Sequence, residues 1–289
     1  MGPHFMKISM PIVRQSTSHL FWLMMAPLLT FAQSESRHPQ APAGADTRPA
    51  QTDSASAQLI KNYLTVTGAL KAQPPLLNVV AQGRIKESTL ERQFHLIETS
   101  DGKRRLTYSW THLGRKHRVL YVHDGLQTWI QVLEPKQQTA HSYTGVDAQH
   151  FANQRWLLQP FTLPKRADYK FKYQGTALVA GRPAYMIKGY GKANIHSWFY
   201  FDQEKSLLTR WGGQGKIAGV TEAMDYQASQ FKPVDGILIP SYIQLLAQNA
   251  PFGYIQVEQM TINQDLNEVS FFMPEHISPT LRQRPTVKN

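Results

Sequence analysis

From Leu77 onward the chain alternates apolar and polar residues with a period of two, the signature of a strand that has one dry face. Between Arg105 and Trp110, for instance, Leu106, Tyr108 and Trp110 share one side while Arg105, Thr107 and Ser109 share the other. Ser100-Asp101-Gly102 and His123-Asp124-Gly125 carry turn chemistry, since Gly and Asp tolerate the positive φ of a tight hairpin. Glu91–Glu98, Arg105–Trp110, Lys116–Val122 and Thr128–Leu133 are therefore predicted to pair as an antiparallel meander. Alternation resumes at Tyr169, Phe171 and Tyr173 against Lys170 and Lys172, and continues through Tyr185–Ile187 beyond the turn Gly181-Arg182-Pro183. Trp198–Phe201 and Leu207–Trp211 then read as strands joined by the polar turn Asp202–Ser206, with a Gly212-Gly213 turn after them. A further turn is expected at Val234-Asp235-Gly236.

Two stretches break the period of two. Leu59, Ile60, Tyr63 and Leu64 recur at helical spacing, with Asp53 or Ser54 able to cap the start and Gly68 and Pro74-Pro75 bounding the end. Asp147–Gln159 is the second predicted helix, carrying Ala148, Phe151, Ala152, Trp156 and Leu158 and stopped by Pro160 and Pro164. A lone helix inside a meander has to lie across a sheet face or an open barrel end. The fold class is mainly β with a few helices, with neither an internal repeat nor a second domain.

The ends differ from the middle. Residues 1–32 hold Lys7 and Arg14, no acidic group, and an apolar run from Leu20 to Ala32. That run is too short to span a bilayer, and the pattern predicts a signal peptide and export to the periplasm. Gln33–Asp53 is rich in Pro, Ala, Ser, Gln and Thr, as a disordered linker is. The folded unit is expected over 54–275, followed by a basic tail, 276–289, with Arg282, Arg284 and Lys288.

The chain of 289 residues has 31 Lys and Arg against 20 Asp and Glu, a formal charge of +11, which falls to +9 once Lys7 and Arg14 leave with the leader. This balance favours an anionic membrane surface or an acidic partner; export and the lack of any nucleic-acid motif argue against DNA or RNA. There is no Cys, which excludes disulfides, thiolate metal sites, cysteine nucleophiles and a lipid-anchored N-terminal Cys.

Catalytic patterns are missing too. Neither a metal-binding His-Glu-x-x-His helix nor a Gly-x-Ser-x-Gly elbow occurs. Gly213-Gln214-Gly215-Lys216 lacks the earlier Gly and the following Ser or Thr of a phosphate loop, and Gly189-Tyr190-Gly191 lacks the third Gly of a dinucleotide loop. His95, His117, His123 and His196 read as sheet histidines, and Asp101, Asp124, Asp202 and Asp235 as turn residues. No catalytic residue, metal or cofactor is expected.

The order of the later pieces is more telling. Tyr200-Phe201-Asp202, a polar turn, Leu207-Leu208 with Arg210, a strand ending Asp225-Tyr226, then Val234-Asp235-Gly236-Ile237-Leu238-Ile239-Pro240 resembles the second half of the periplasmic LolA-like, or outer-membrane lipoprotein-sorting, carriers. The strand Tyr254–Asn263, followed by Phe271, Phe272 and Pro274, is similar to that family's ending. The resemblance covers roughly residues 55–275 and is most specific over 180–275. It implies a strongly curved antiparallel half-barrel closed by helices, whose apolar cavity holds lipid or the acyl chains of lipoproteins for transfer towards the outer membrane. A monomer with a transient membrane-protein partner is implied with it. Candidate cavity or lid residues are Trp110, Tyr121, Trp129, Phe151, Trp156, Leu158, Trp198 and Tyr200. Asp147–Gln159 is the expected lid, with Phe151, Trp156 and Leu158 plugging the empty cavity. In such carriers an inner-face arginine helps latch the lid; Arg84, Arg105 and Arg118 are the candidates here. The competing readings are a lipid-sensing or interaction module of the same fold, an envelope enzyme, and a packed β-core built on Trp110, Tyr121, Trp129, Trp198, Tyr200 and Trp211.

Overall fold

The computed structural model describes residues 49–153, 155–162, 169–191, 196–217 and 220–274. The predicted leader, most of the linker and the basic tail lie outside the described residues.

Helix α1 (Ser54–Val66) starts where the side chain of Asp53 accepts the Ser56 N–H at 2.7 Å. It stops at Gly68, whose φ of +79° suits Gly and whose missing Cβ leaves room for the Gly236 carbonyl. Tyr63 is buried on its inward face, with Leu59, Ile60 and Leu64 packed beside it.

The strands are β1 (Asn78–Glu87), β2 (Leu90–Thr99), β3 (Arg104–His112), β4 (Arg115–His123), β5 (Thr128–Glu134) and β6 (His141–Tyr143). After helix α2 (Val146–Asn153) come β7 (Lys170–Val179), β8 (Arg182–Tyr190), β9 (His196–Asp202), β10 (Leu208–Ile217), β11 (Val220–Val234), β12 (Ile237–Ala247) and β13 (Ala250–Ile262). All join one antiparallel sheet of 13 strands in the order β6-β5-β4-β3-β2-β1-β13-β12-β11-β10-β9-β8-β7. It is not closed into a barrel: β6 and β7 are its two edges. Each half is a run of hairpins, as the turn residues require, and the halves meet where β1 pairs with β13.

Gly212 and Gly213 make no turn, contrary to the sequence pattern; they continue β10. A Cβ on Gly212 would run into the Asp225 carboxylate and the Met224 carbonyl of β11, so close approach, not reversal, explains that glycine. The second predicted helix also ends early, at Asn153, and Arg155–Gln159 is irregular.

The sheet bends strongly. Arg155 donates to the Gly102 carbonyl in the β2–β3 turn, and its own carbonyl accepts the Trp211 indole N–H of β10 at 2.8 Å. Between β2 and β10 lie four strands, so a flat sheet would hold them roughly 24 Å apart. One residue spans that separation only if the two limbs turn to face each other. On the inner side Phe94, Leu96, Leu106, Phe199, Phe201, Trp211, Ile243 and Ile255 form the main core. A smaller outer cluster of Ile97, Leu120, Val122, Trp129, Ala140 and Phe271 is covered by the chain after β13.

Candidate functional site

On β2, Phe94, Leu96 and Glu98 continue one inward stripe; on β3, Arg104, Leu106 and Tyr108 do the same, and the register sets Glu98 directly opposite Arg104. Both charged side chains are buried, and they form an ion pair at 3.3 Å. A buried pair of this kind persists only when hydrogen bonds satisfy what remains of each partner. The irregular segment after α2 does so. The Glu98 carboxylate accepts the consecutive backbone N–H groups of Trp156, Leu157 and Leu158 at 3.1, 3.1 and 2.8 Å. The Arg104 guanidinium donates to the Phe151 carbonyl at 2.9 Å and lies 4.7 and 4.9 Å from the Phe151 and Trp156 ring centres. Three free N–H groups directed at one carboxylate explain why the segment is not helical: its donors face the sheet.

Further contacts fix the same segment. Arg155, buried, donates to the carbonyls of Gly102, Lys103 and Thr99. His150 of α2 lies 3.1 Å from the Tyr226 hydroxyl, and Tyr226 stacks on Trp211 with ring centres 5.8 Å apart. Burial pushes the Tyr226 phenol up to about 12, so at neutral pH it remains a protonated hydrogen-bonding group and makes a poor base.

Between the limbs this segment supplies the filling. Trp156 meets Phe94 edge-on at 5.5 Å, and Leu157 and Leu158 are buried in the main core. In the 3-10 turn Pro160–Thr162, Phe161 touches Tyr63, Phe171, Phe199 and Phe201 at 5.3 to 6.0 Å. A surface cleft of about 600 Å³ runs beside α2, between Ala148 and Ala152 on one side and Gly102, His123 and Gly125 on the other.

The candidates read from the sequence thus divide. Phe151, Trp156, Leu158 and Tyr121 come together on the inner face, Tyr121 lying 5.8 Å from Phe151. Trp110 sits towards the far end of β3, stacked on His117 at 5.1 Å, outside the core. Trp129 belongs to the outer cluster, where its indole donates to the Phe271 carbonyl at 2.9 Å. Tyr200 and Trp198 pack on the outer side with Val179 and Ala184, and Trp198 donates to Asp225 at 2.5 Å. None of these four belongs to the main core that the segment fills; β5 and β9 bury both of their faces, so aromatic content does not mark which one is inner. Of the proposed latches, Arg84 pairs with Glu258 at the surface at 2.6 Å. Arg105 and Arg118 alternate with the inward residues of β3 and β4. The arginine that meets the segment is Arg104, one residue before the predicted strand start. Its signal was the parity it shares with Leu106 and Tyr108.

No family model matches the chain, and no curated protein matches its sequence. Solved structures similar to it include a LolA superfamily protein from Nitrosomonas europaea, 10% identical over 75% of this chain and 96% of that one, with a TM-score of 0.48. An outer membrane lipoprotein-sorting protein domain from Vibrio parahaemolyticus is 9% identical over 72% and 95%, with a TM-score of 0.46. A DUF1329 family protein from Desulfovibrio piger is 12% identical over 76% and 97%, with a TM-score of 0.41.

Proposed function

We propose that the protein is a non-catalytic periplasmic carrier of lipid or of lipoprotein acyl chains, in which residues 150–161 are a lid that fills the binding space when it is empty. One observation carries this reading: the space between the sheet's limbs is filled by side chains of a single connecting segment, held by one buried ion pair and a few hydrogen bonds. The expected half-barrel closed by helices becomes, in this reading, a bent open sheet closed chiefly by an irregular strap. The resemblance of residues 180–275 to LolA-like carriers supports the same assignment, and the apolar leader supports the compartment.

The energetics suit exchange. Five plugging side chains, Phe151, Trp156, Leu157, Leu158 and Phe161, are worth about 2 kcal/mol each when buried, roughly 10 kcal/mol together. An acyl chain with about fifteen buried methylenes gains about 12 kcal/mol at ~0.8 kcal/mol each. Substituting one for the other is nearly balanced, so loading and release both remain accessible to a receptor.

The test is native mass spectrometry of the chain from Gln33 onward, incubated with a diacylated lipopeptide, alongside Phe151→Asp/Trp156→Asp. Saturable uptake by the wild type is expected, with loading lost and the sheet's circular dichroism kept in the variant. A wild type that stays unliganded against added lipid overturns the carrier reading. Loss of the sheet signal in the variant means that the segment is core and never a lid.

A further inference from the structure

The tip of the β3–β4 hairpin has a composition that the fold does not ask for. The strands pair down to His112 opposite Arg115, with Thr111 opposite Lys116 and Trp110 opposite His117. Leu113 occupies the turn at φ +48° and is 87% exposed. A leucine is strained in that left-handed conformation, where Asn or Gly sits more easily, and buries nothing in return. Arg115 and Lys116 follow it directly, Arg118 lies further along β4, and all three are exposed. From Lys103 to Leu133 the only acidic residue is Asp124, at the other end of β4. The acid nearest in register is Glu134, at the end of β5 opposite Arg118; Glu91 and Glu87 are engaged with Arg84 and Arg92. Beneath the tip Trp110 stacks on His117, with His112 at 6.5 Å.

An exposed apolar tip, a collar of cations and a tryptophan one layer below is the arrangement that suits a bilayer interface. The cations are drawn to anionic headgroups, the aliphatic side chain enters among them, and the indole sits at headgroup level. The molecule contains its own contrast. Leu126 in the β4–β5 turn is 95% exposed, but it follows Asp124, whose carboxylate accepts the Leu126 and Gln127 N–H groups at 2.8 Å.

We propose that the β3–β4 hairpin tip docks the protein on an anionic lipid surface, with Leu113 inserted and Arg115, Lys116 and Arg118 on the headgroups. This docking is independent of whether the sheet's interior carries lipid.

Co-sedimentation of the chain from Gln33 onward, which retains every described residue, with unilamellar vesicles tests it. Vesicles of phosphatidylcholine alone are compared with vesicles containing about one-third phosphatidylglycerol, at about 0.1 M and about 1 M salt. The wild type is expected to sediment with the anionic vesicles at low salt only. Leu113→Asp and Arg115→Glu/Lys116→Glu are each expected to weaken that binding at least tenfold, while Leu126→Asp leaves it unchanged. All three variants should melt with the wild type, since the substituted positions are exposed. Indifference of the wild type to anionic vesicles overturns the proposal, as does charge-reversed protein that sediments like the wild type. Retention on immobilised polyglutamate without vesicle binding overturns it in favour of an acidic protein partner.

Discussion

Glu98 faces one guanidinium and three consecutive backbone N–H groups, so removing either charge strands the other in the interior. Arg104→Met and Glu98→Gln are each expected to cost about 3 kcal/mol in urea unfolding. The double variant should cost at least about 1 kcal/mol less than the sum of the two; strict additivity would show that the pair is not one unit. Two phenols give a separate handle. Burial raises Tyr226 and Tyr108 from 10.0 to about 12. Because the folded state holds these protons more tightly than the unfolded chain, their contribution is complete below pH 10 and is lost as the pH climbs towards 12. Each is worth about 2 to 3 kcal/mol, and Tyr226→Phe should flatten the alkaline fall in stability measured by urea midpoints from neutral pH upward.

Among the elements, α1 depends on a residue that serves it twice. Asp53 caps the helix, its N–H donates to the Phe171 carbonyl at 3.2 Å, and its second oxygen accepts the Tyr173 N–H of β7 at 2.7 Å. Burial opposes its charge, yet the hydrogen bonds from Ser56 and Tyr173 prevail and hold its carboxyl below the ordinary value. Asp53→Ala should therefore destabilise the fold by about 1 to 2 kcal/mol, whereas Ser54→Ala, one position on, should be near neutral; equal effects in thermal melts would contradict the assignment of the cap. The cap was one of two that the sequence offered, and the hairpins at Asp101-Gly102, Asp124-Gly125 and Asp235-Gly236 were legible because turn chemistry is local. What periodicity could not show were partners distant in the chain. The stop of α2 at Asn153 depends on a carboxylate more than fifty residues earlier, as the 58-residue separation of the Glu98–Trp156 bond records. The pairing of β1 with β13 is likewise invisible locally. That Trp129, Trp198 and Tyr200 lie on the outer side was hidden for another reason: strands buried on both faces give their aromatics no polar counterpart to mark it.

For the molecule as a whole, the two edges β6 and β7 carry a consequence for capacity. The bore of a closed barrel is fixed by its strand count and stagger, so its contents must match it. A bent sheet with separated margins has no set circumference. Part of one margin is fastened: Thr52 and Asp53 occupy backbone groups of Phe171 and Tyr173 at the start of β7. Elsewhere the strand ladders set no distance between β6 and β7, which lie at opposite ends of the order. For the carrier proposed above, a gap that no ladder sets is one that cargoes of unequal bulk could share without any change in its lining.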